Sequence, residues 1–146
     1  MDFWRCLIAT KTAPIRGRRI DAEQDPADLK KRIDSARRFA IDAARLAAAT
    51  HCGNVVVLDV SGVSPVTDFF VIATGSSPRQ MHSVCDEIAE MGAPLNYKPF
   101  HKPGYGGDHW ILVDFVDVVI HLFNAEARQF YDLDNLWGDG KKVEWK

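Results

Sequence analysis

The chain lacks the cysteine patterns that would define a redox or metal-binding protein. Its three cysteines, Cys6, Cys52 and Cys85, are widely scattered, and no CxxC pair occurs among its 146 residues. Neither a disulfide framework nor a zinc ribbon is supported, and reduced thiols in a reducing compartment are the simplest interpretation. The sequence also has no uninterrupted apolar run long enough to cross a bilayer, so we expect no membrane span.

The residue patterns of metal and phosphoryl-transfer sites are missing as well. None of the five histidines stands at a helical i, i+4 or hairpin ligand spacing from another histidine or a cysteine, so no metal site is predicted. A nucleotidyltransferase needs two carboxylates on one strand face to hold two metal ions. Asp86 and Glu87 are adjacent in a predicted helix, and Asp114 and Asp117 are three residues apart across a turn. We therefore predict no catalytic residues and no cofactor, and we expect that the chain is not an enzyme.

Basic charge is scarce in the part of the chain that should fold. Residues 1–45 carry eleven Lys and Arg against seven Asp and Glu, whereas residues 46–146 carry seven against thirteen. A nucleic-acid surface must neutralise phosphates and should be basic. We therefore expect little direct contact with nucleic acid, and a basic protein is the better match for a macromolecular partner.

What is present is the pattern of one α/β domain. Residues 1–25 are interpreted as a poorly structured arm, residues 26–139 as the domain and residues 140–146 as a frayed tail. Asp25-Pro26 predicts the start of a helix that ends before Gly53. Strands are predicted at residues 54–60, 67–74, 95–100, 110–115 and 118–123. The first two should pair antiparallel and the last two should form a hairpin, which gives a mixed sheet of about five strands with helices packed mainly on one face.

The most informative stretch joins the second strand to the next helix. It contains Thr74, Gly75, Ser77, Arg79 and Gln80. Serine at the N-cap followed by proline is a helix-start signal, because the hydroxyl accepts from an orphan N–H and proline has none to satisfy. This predicts a helix from Ser77 to about residue 91. Such a turn exposes backbone amides where a phosphate could bind, but the capping role is sufficient, and we interpret the motif as structural first.

A candidate binding surface follows from alternation in the hairpin. One face of the strand at 110–115 carries Trp110, Leu112 and Asp114, and the other carries apolar residues that suit a core under helices. A tryptophan and a leucine beside a carboxylate suit an exposed protein-binding patch. The alternative is that Trp110 packs under the long loop or the last helix, a short helix that Asn124 should cap and that is predicted to run through Leu133. A second small core could then be built by Phe130, Tyr131 and Trp137. His121, in the following strand, is expected to be a hydrogen-bonded, partly buried histidine.

The combined motifs resemble the ribosomal silencing factor (Iojap-like) family, from about residue 30 to residue 139. The resemblance is carried by four stretches: LDV at 58–60, SPVTDFFVIATGSSPRQ at 64–80, WILVDFVDVVIHLFNAEARQFYDL at 110–133, and LWG at 136–138. Two features depart from the family. Val116 stands where members usually have glycine, and the segment 94–107 is longer and richer in proline and glycine.

The Gly-Ser turn after a strand and the missing carboxylate pair indicate a nucleotidyltransferase-like scaffold without catalytic carboxylates, and the resemblance implies a translational repressor. Such proteins bind the large ribosomal subunit through its L-fourteen protein and block joining of the small subunit when nutrients are scarce. Trp110 matches the family's interface tryptophan, and we add Asp114, Tyr131 and Asp132 as candidates for its surround. The resemblance places the protein in the bacterial cytoplasm, with an organelle matrix as the alternative.

Three alternatives remain open at this point. The chain could be a factor in large-subunit biogenesis from the same family. It could be a nucleotide-binding protein that uses the turn at Gly75 and Ser76. It could also form a homodimer through the Trp110 face when it is free of the ribosome.

Overall fold

The computed structural model describes residues 25–62, 67–99, 109–136, 138 and 140–146. Within these ranges the helices are α1 (Pro26–Ala49), α2 (Pro78–Gly92), α3 (Ala125–Tyr131) and α4 (Leu133–Leu136). The strands are β1 (Gly53–Asp59), β2 (Phe69–Thr74), β3 (Trp110–Asp114), β4 (Val118–Phe123) and β5 (Lys141–Val143). The predicted arm lies outside the described residues, except for Asp25.

The strands form one mixed sheet in the order β3-β4-β2-β1-β5. The β2–β4 pair at its centre is parallel, and the other three pairs are antiparallel. Every residue of β4 and nearly every residue of β2 is buried, because both faces of these strands are covered. The predicted mixed α/β fold, the antiparallel β1–β2 pair and the β3–β4 hairpin are confirmed.

Helix α1 supplies most of the cover on one face. The Asp25 side chain accepts from the Ala27 amide, and Pro26 occupies the first helical position, as predicted. Alanines at 36, 40, 43, 44 and 47 are fully buried, so the helix approaches the sheet closely. Together with α2 it closes the larger apolar layer. A smaller layer on the opposite face includes Ala127 of α3 and Leu133 of α4, which confirms that helices pack mainly on one face.

The side chains of Ser77 and Gln80 cap backbone amides in the turn between β2 and α2. Ser77 Oγ accepts from the Gln80 amide at 3.1 Å, and Gln80 Oε1 accepts from the Ser76 amide at 2.6 Å. Gln80 Nε2 also donates to the Thr50 carbonyl at the end of α1. A Cβ at Gly75 would overlap the Met81 side chain, so glycine is needed for close packing. Gly75, Ser77 and Gln80 therefore have structural contacts in this turn, while Arg79 is exposed.

Helix α3 begins as predicted and ends earlier than predicted. The Asn124 side chain caps it by accepting from the Ala127 amide at 2.8 Å. The predicted helix through Leu133 is interrupted at Asp132, whose φ of 48° ends α3 before α4 begins. Arg128 then ties the pair of helices to the sheet. It donates to both carboxylate oxygens of Asp134 at 3.0 and 2.9 Å, and to Thr74 Oγ1 at 3.0 Å.

Two predictions about irregular segments are wrong. The strand expected at residues 95–100 is absent from its described part, because Ala93–Leu95 forms a 3-10 turn and residues 97–99 form no strand. The tail expected to fray instead contains β5, which pairs with β1. Trp145 Nε1 donates to the Val55 carbonyl at 3.1 Å, and Arg45 Nε donates to the Trp145 carbonyl at 2.8 Å. The free edge of β1 therefore orders this tail.

The hairpin turn between β3 and β4 contains a strained residue. Val116 has a φ of 75°, a region that costs an L-residue with a branched Cβ about 1–2 kcal/mol. We expect Val116→Gly to raise the free energy of unfolding by about 1 kcal/mol, as measured by urea denaturation. Val116→Ala is the control, since alanine shortens the side chain and retains the strain. A Val116→Ala chain at least as stable as Val116→Gly would contradict this explanation.

The cap formed by Gln80 generates a second stability prediction. Gln80→Ala removes the partners of the Ser76 amide and the Thr50 carbonyl, so the free energy of unfolding should fall by about 1–3 kcal/mol. The matched control is Arg79→Ala, one residue earlier and exposed, which should change stability by less than about 0.5 kcal/mol. Thermal melts of both variants distinguish the cap from a general intolerance of this turn to substitution.

Candidate functional site

The two faces of β3 divide as predicted. Ile111 and Val113 lie in the larger apolar layer with α1 and α2, together with Phe115 just beyond the strand. Trp110 and Leu112 lie in the smaller layer on the opposite face. The alternation of β3 was therefore assigned correctly, and the remaining question is how much of the second face is exposed.

The expected exposure of this second face is wrong. Trp110 is 1% exposed, Leu112 7% and Asp114 8%. The Trp110 ring stacks on Phe123, with centroids 4.9 Å apart, and lies 4.8 Å from the Tyr131 ring of α3. The alternative in which Trp110 packs under the last helix is the observed one. The physical reason is that α3 starts directly after β4 and folds back over the edge where Trp110 begins β3.

Asp114 also lies away from Trp110. It is at the opposite end of β3, four residues along the strand, which corresponds to about 13 Å. Its Oδ1 accepts from the Val116 amide at 2.7 Å, within the hairpin turn. Asp114 therefore contributes to the turn, and it is separated from the aromatic residues around Trp110.

Tyr131 and Asp132 remain beside the tryptophan. Tyr131 is half-buried against the indole, and Asp132 follows it at the exposed end of α3. Of the five residues predicted to bind a partner, the structure therefore brings Trp110, Tyr131 and Asp132 to one end of the sheet. Leu112 lies in the middle of β3 and Asp114 at its far end.

An open cavity of about 370 Å³ lies at this end of the sheet. We call it the aromatic groove. It is lined by His109, Trp110, Asn124, Glu126, Ala127, Phe130 and Tyr131. Phe130 is 80% exposed, and it meets Tyr131 edge-on at 5.0 Å between centroids. Trp110 forms the floor of this groove, and Phe130 is the apolar side chain that remains available to a partner.

Five lining residues were not among the predicted site residues. They are His109, Asn124, Glu126, Ala127 and Phe130. Asn124 was recognised only as a helix cap, and Phe130 was considered for a second small core with Tyr131. A helix of seven residues is too short for a hydrophobic period to tell its exposed aromatic residue from its packed one.

The surroundings of the groove are acidic. Glu126 lines the groove, and Asp132 is exposed beside it. Among the described residues around the groove, the cation Arg128 is mostly buried and paired with Asp134. Because that ion pair neutralises Arg128, the carboxylates of Glu126 and Asp132 set the sign of the potential in the described part of the rim.

A buried histidine lies beneath the floor of the groove. Trp110 Nε1 donates to His121 Nδ1 at 3.2 Å. Burial, with a further contribution from the Arg128 charge, lowers the pKa of His121 to about 3. The expected hydrogen bond is present, and the ring is more deeply buried than expected, with no exposed surface. The imidazole is therefore neutral under physiological conditions.

Neither a metal cluster nor a membrane helix occurs in the described ranges. No group of three or more His, Cys, Asp and Glu side chains there could hold a metal ion. No helix in the same ranges is both long enough and apolar enough to cross a membrane. At the β2–α2 turn, the Ser76 amide is occupied by Gln80, so a phosphate would have to displace that side chain.

Known proteins share this fold and sequence pattern. The family model "Ribosomal silencing factor during starvation" matches residues 33–146. A ribosomal silencing factor of Halalkalibacterium halodurans is 36% identical over 90 residues, which cover 62% of this chain and 77% of that protein. The mouse mitochondrial assembly of ribosomal large subunit protein 1 is 36% identical over 87 residues, covering 58% of this chain and 38% of the relative.

A solved structure supports the same relationship. A crystal structure of a Chromobacterium violaceum protein superposes with a TM-score of 0.64 and 27% sequence identity, over 77% of this chain and 90% of that chain. The family match covers most of the chain, including both strands of the hairpin and the helices that form the groove. The chain therefore belongs to the ribosomal silencing factor family.

Proposed function

We propose that this protein is a non-enzymatic repressor of translation that binds the large ribosomal subunit through its L-fourteen protein. Bound there, it would prevent the small subunit from joining, so that repression depends on occupancy. The observation that carries the proposal is the aromatic groove, where an exposed phenylalanine and a buried tryptophan line one cavity beside the exposed carboxylates of Glu126 and Asp132. Family membership supports the ribosome as the partner.

The composition of the groove matches a basic protein surface. Trp and Tyr are frequent anchors at interfaces because they bury a large area and still offer a polar group. The carboxylates at the rim would attract Lys and Arg side chains and speed association. The exposed Phe130 side chain would supply most of the affinity, and the acidic rim would orient the partner.

The test of the mechanism is a joining assay with purified subunits. Large subunits incubated with the protein before small subunits are added should yield fewer joined ribosomes in a sucrose gradient. Co-sedimentation of the protein with large subunits alone should persist at moderate salt. Failure to bind large subunits at both low and moderate salt would overturn the proposal.

A role in large-subunit biogenesis is the second candidate, because the mouse relative's name refers to assembly of the large subunit. The two candidates differ in which particles carry the protein. A repressor should bind mature large subunits, whereas an assembly factor should favour immature ones. That relative also supports an organelle matrix as the alternative to the bacterial cytoplasm.

Phe130 is expected to be the anchor of the interface. Burying a phenylalanine stabilises a complex by about 1.5–3 kcal/mol, so Phe130→Ala should weaken binding to purified large subunits about tenfold to a hundredfold. Leu95→Ala is the matched control, because Leu95 is the other large exposed apolar residue among those described and is 52% exposed. Its substitution should change the affinity less than about twofold. Equal losses in both variants would rule out the groove as the docking site.

Glu126 is expected to act mainly on the rate of association. Glu126→Gln retains the shape of the side chain and removes its charge, so binding should slow and depend less on salt concentration. The measurement is the association rate with large subunits across a salt series. The control is Glu87→Gln, on the exposed side of α2. A larger change for Glu87→Gln than for Glu126→Gln would contradict the assignment of the acidic rim.

A further inference from the structure

His121 is a polar ring inside an otherwise apolar layer. It has no exposed surface. Its ring meets Phe70 at 5.0 Å and lies nearly parallel to Phe123 at 6.1 Å between centroids. On the neighbouring strand it pairs with Leu112, two residues from Trp110. The imidazole therefore sits directly behind the floor of the aromatic groove.

The hydrogen bond from Trp110 fixes the tautomer of this ring. Since Nδ1 accepts from the indole N–H at 3.2 Å, a neutral ring carries its proton on Nε2. Nε2 has no hydrogen-bond partner among the described residues. A buried N–H without a partner is costly, and a phenylalanine would fill the same space without that cost. What the imidazole supplies, and phenylalanine could not, is an acceptor for the indole.

We propose that His121 is the positioning residue of the aromatic groove, which holds the Trp110 indole in the one orientation that forms the floor of the docking site. The proposal rests on the function proposed for that groove. His121 lines no part of the cavity, so it acts on a partner only through Trp110.

The surrounding rings explain why such a residue is needed. Phe123 and Tyr131 pack against Trp110 with interplanar angles of 24° and 41°. Stacking of this kind restrains the plane of an indole more than it restrains which edge points into the cavity. A hydrogen bond is directional, and it selects one edge. The indole N–H is then turned towards the sheet, and a carbon edge of the ring is left for the groove.

The charge state of His121 supports this role. A protonated imidazole would donate from both nitrogens and could not accept from Trp110. Burial and the nearby Arg128 keep the pKa of His121 at about 3, so the acceptor is retained at any pH at which the ribosome functions. Arg128, which holds α3 in place through Thr74 and Asp134, therefore also favours the neutral ring.

The first test uses the unmodified chain. In a protein labelled with nitrogen-15, a hydrogen bond between Trp110 Nε1 and His121 Nδ1 should give a scalar coupling between these two nitrogens. The indole resonance is identified by its absence in Trp110→Phe. The His121 nitrogen shifts should show the proton on Nε2. Absence of the coupling, or a proton on Nδ1, would overturn the proposal without any variant at position 121.

The second test compares three variants in binding to purified large subunits. His121→Phe removes the acceptor and should weaken binding at least about tenfold. In this variant the Trp110 indole N–H resonance should also shift, and its proton should exchange faster with solvent. His121→Gln restores an acceptor and should recover part of the affinity. Val119→Ala is the control for a weakened core, because Val119 is buried in the same layer and pairs with Asp114 at the far end of β3. Its affinity should stay within about twofold.

The outcomes separate the two proposals. If the wild-type chain does not bind large subunits, the proposed function fails, and the indole resonance still decides whether His121 positions Trp110. If the wild type binds and His121→Phe binds equally well, His121 is not a positioning residue of the groove. Equal losses of affinity in His121→Phe and Val119→Ala, with an unchanged indole resonance, would likewise overturn the inference.

Discussion

The parallel pairing of β2 with β4 is the constraint on which the rest of the structure depends. Its register sets Thr74 beside Phe123, so both strands end at the same edge of the sheet. The Gly75 amide donates to the Phe123 carbonyl at 2.7 Å and extends that pairing past the strand ends. Since β3 is antiparallel to β4, Trp110 begins beside Phe123. The start of α2, the start of α3 and the tryptophan are thereby gathered at one edge.

This arrangement also explains why the same edge carries the candidate docking site. Helix α3 must leave the end of β4 and cover the second face of the sheet, and Arg128 holds it there through Thr74 at the end of β2. The cover is only seven residues long. Tyr131 of this helix packs against Trp110 and buries it, whereas Phe130 of the same helix remains exposed. A groove with a buried floor and an exposed rim is the geometric result of covering a large aromatic ring with a short helix.

The sequence predicted the features that depend on neighbouring residues. Ser77 and Asn124 were identified as helix caps because capping requires a side-chain oxygen two or three residues before an orphan amide. The two faces of β3 followed from alternation. The exposure of Trp110 could not be predicted in the same way, because alternation tells which residues share a face and not what folds over that face. The ordering of Trp145 against β1 likewise depends on a strand about 90 residues away.

The distribution of polar groups around Trp110 follows from the cost of burial. A carboxylate beneath the indole would have to be desolvated without a partner, and Asp114 lies instead in the hairpin turn, where its Oδ1 accepts from an amide. The polar group that is buried behind the floor is a neutral imidazole, and the buried guanidinium of Arg128 is matched by Asp134. The carboxylates of Glu126 and Asp132, which form no ion pair with another described residue, are at the rim, where they are exposed to water. In the proposed interface, affinity and attraction would therefore come from different atoms: the aromatic rings would supply the apolar contact, and the carboxylates would act over the distance at which two molecules first meet.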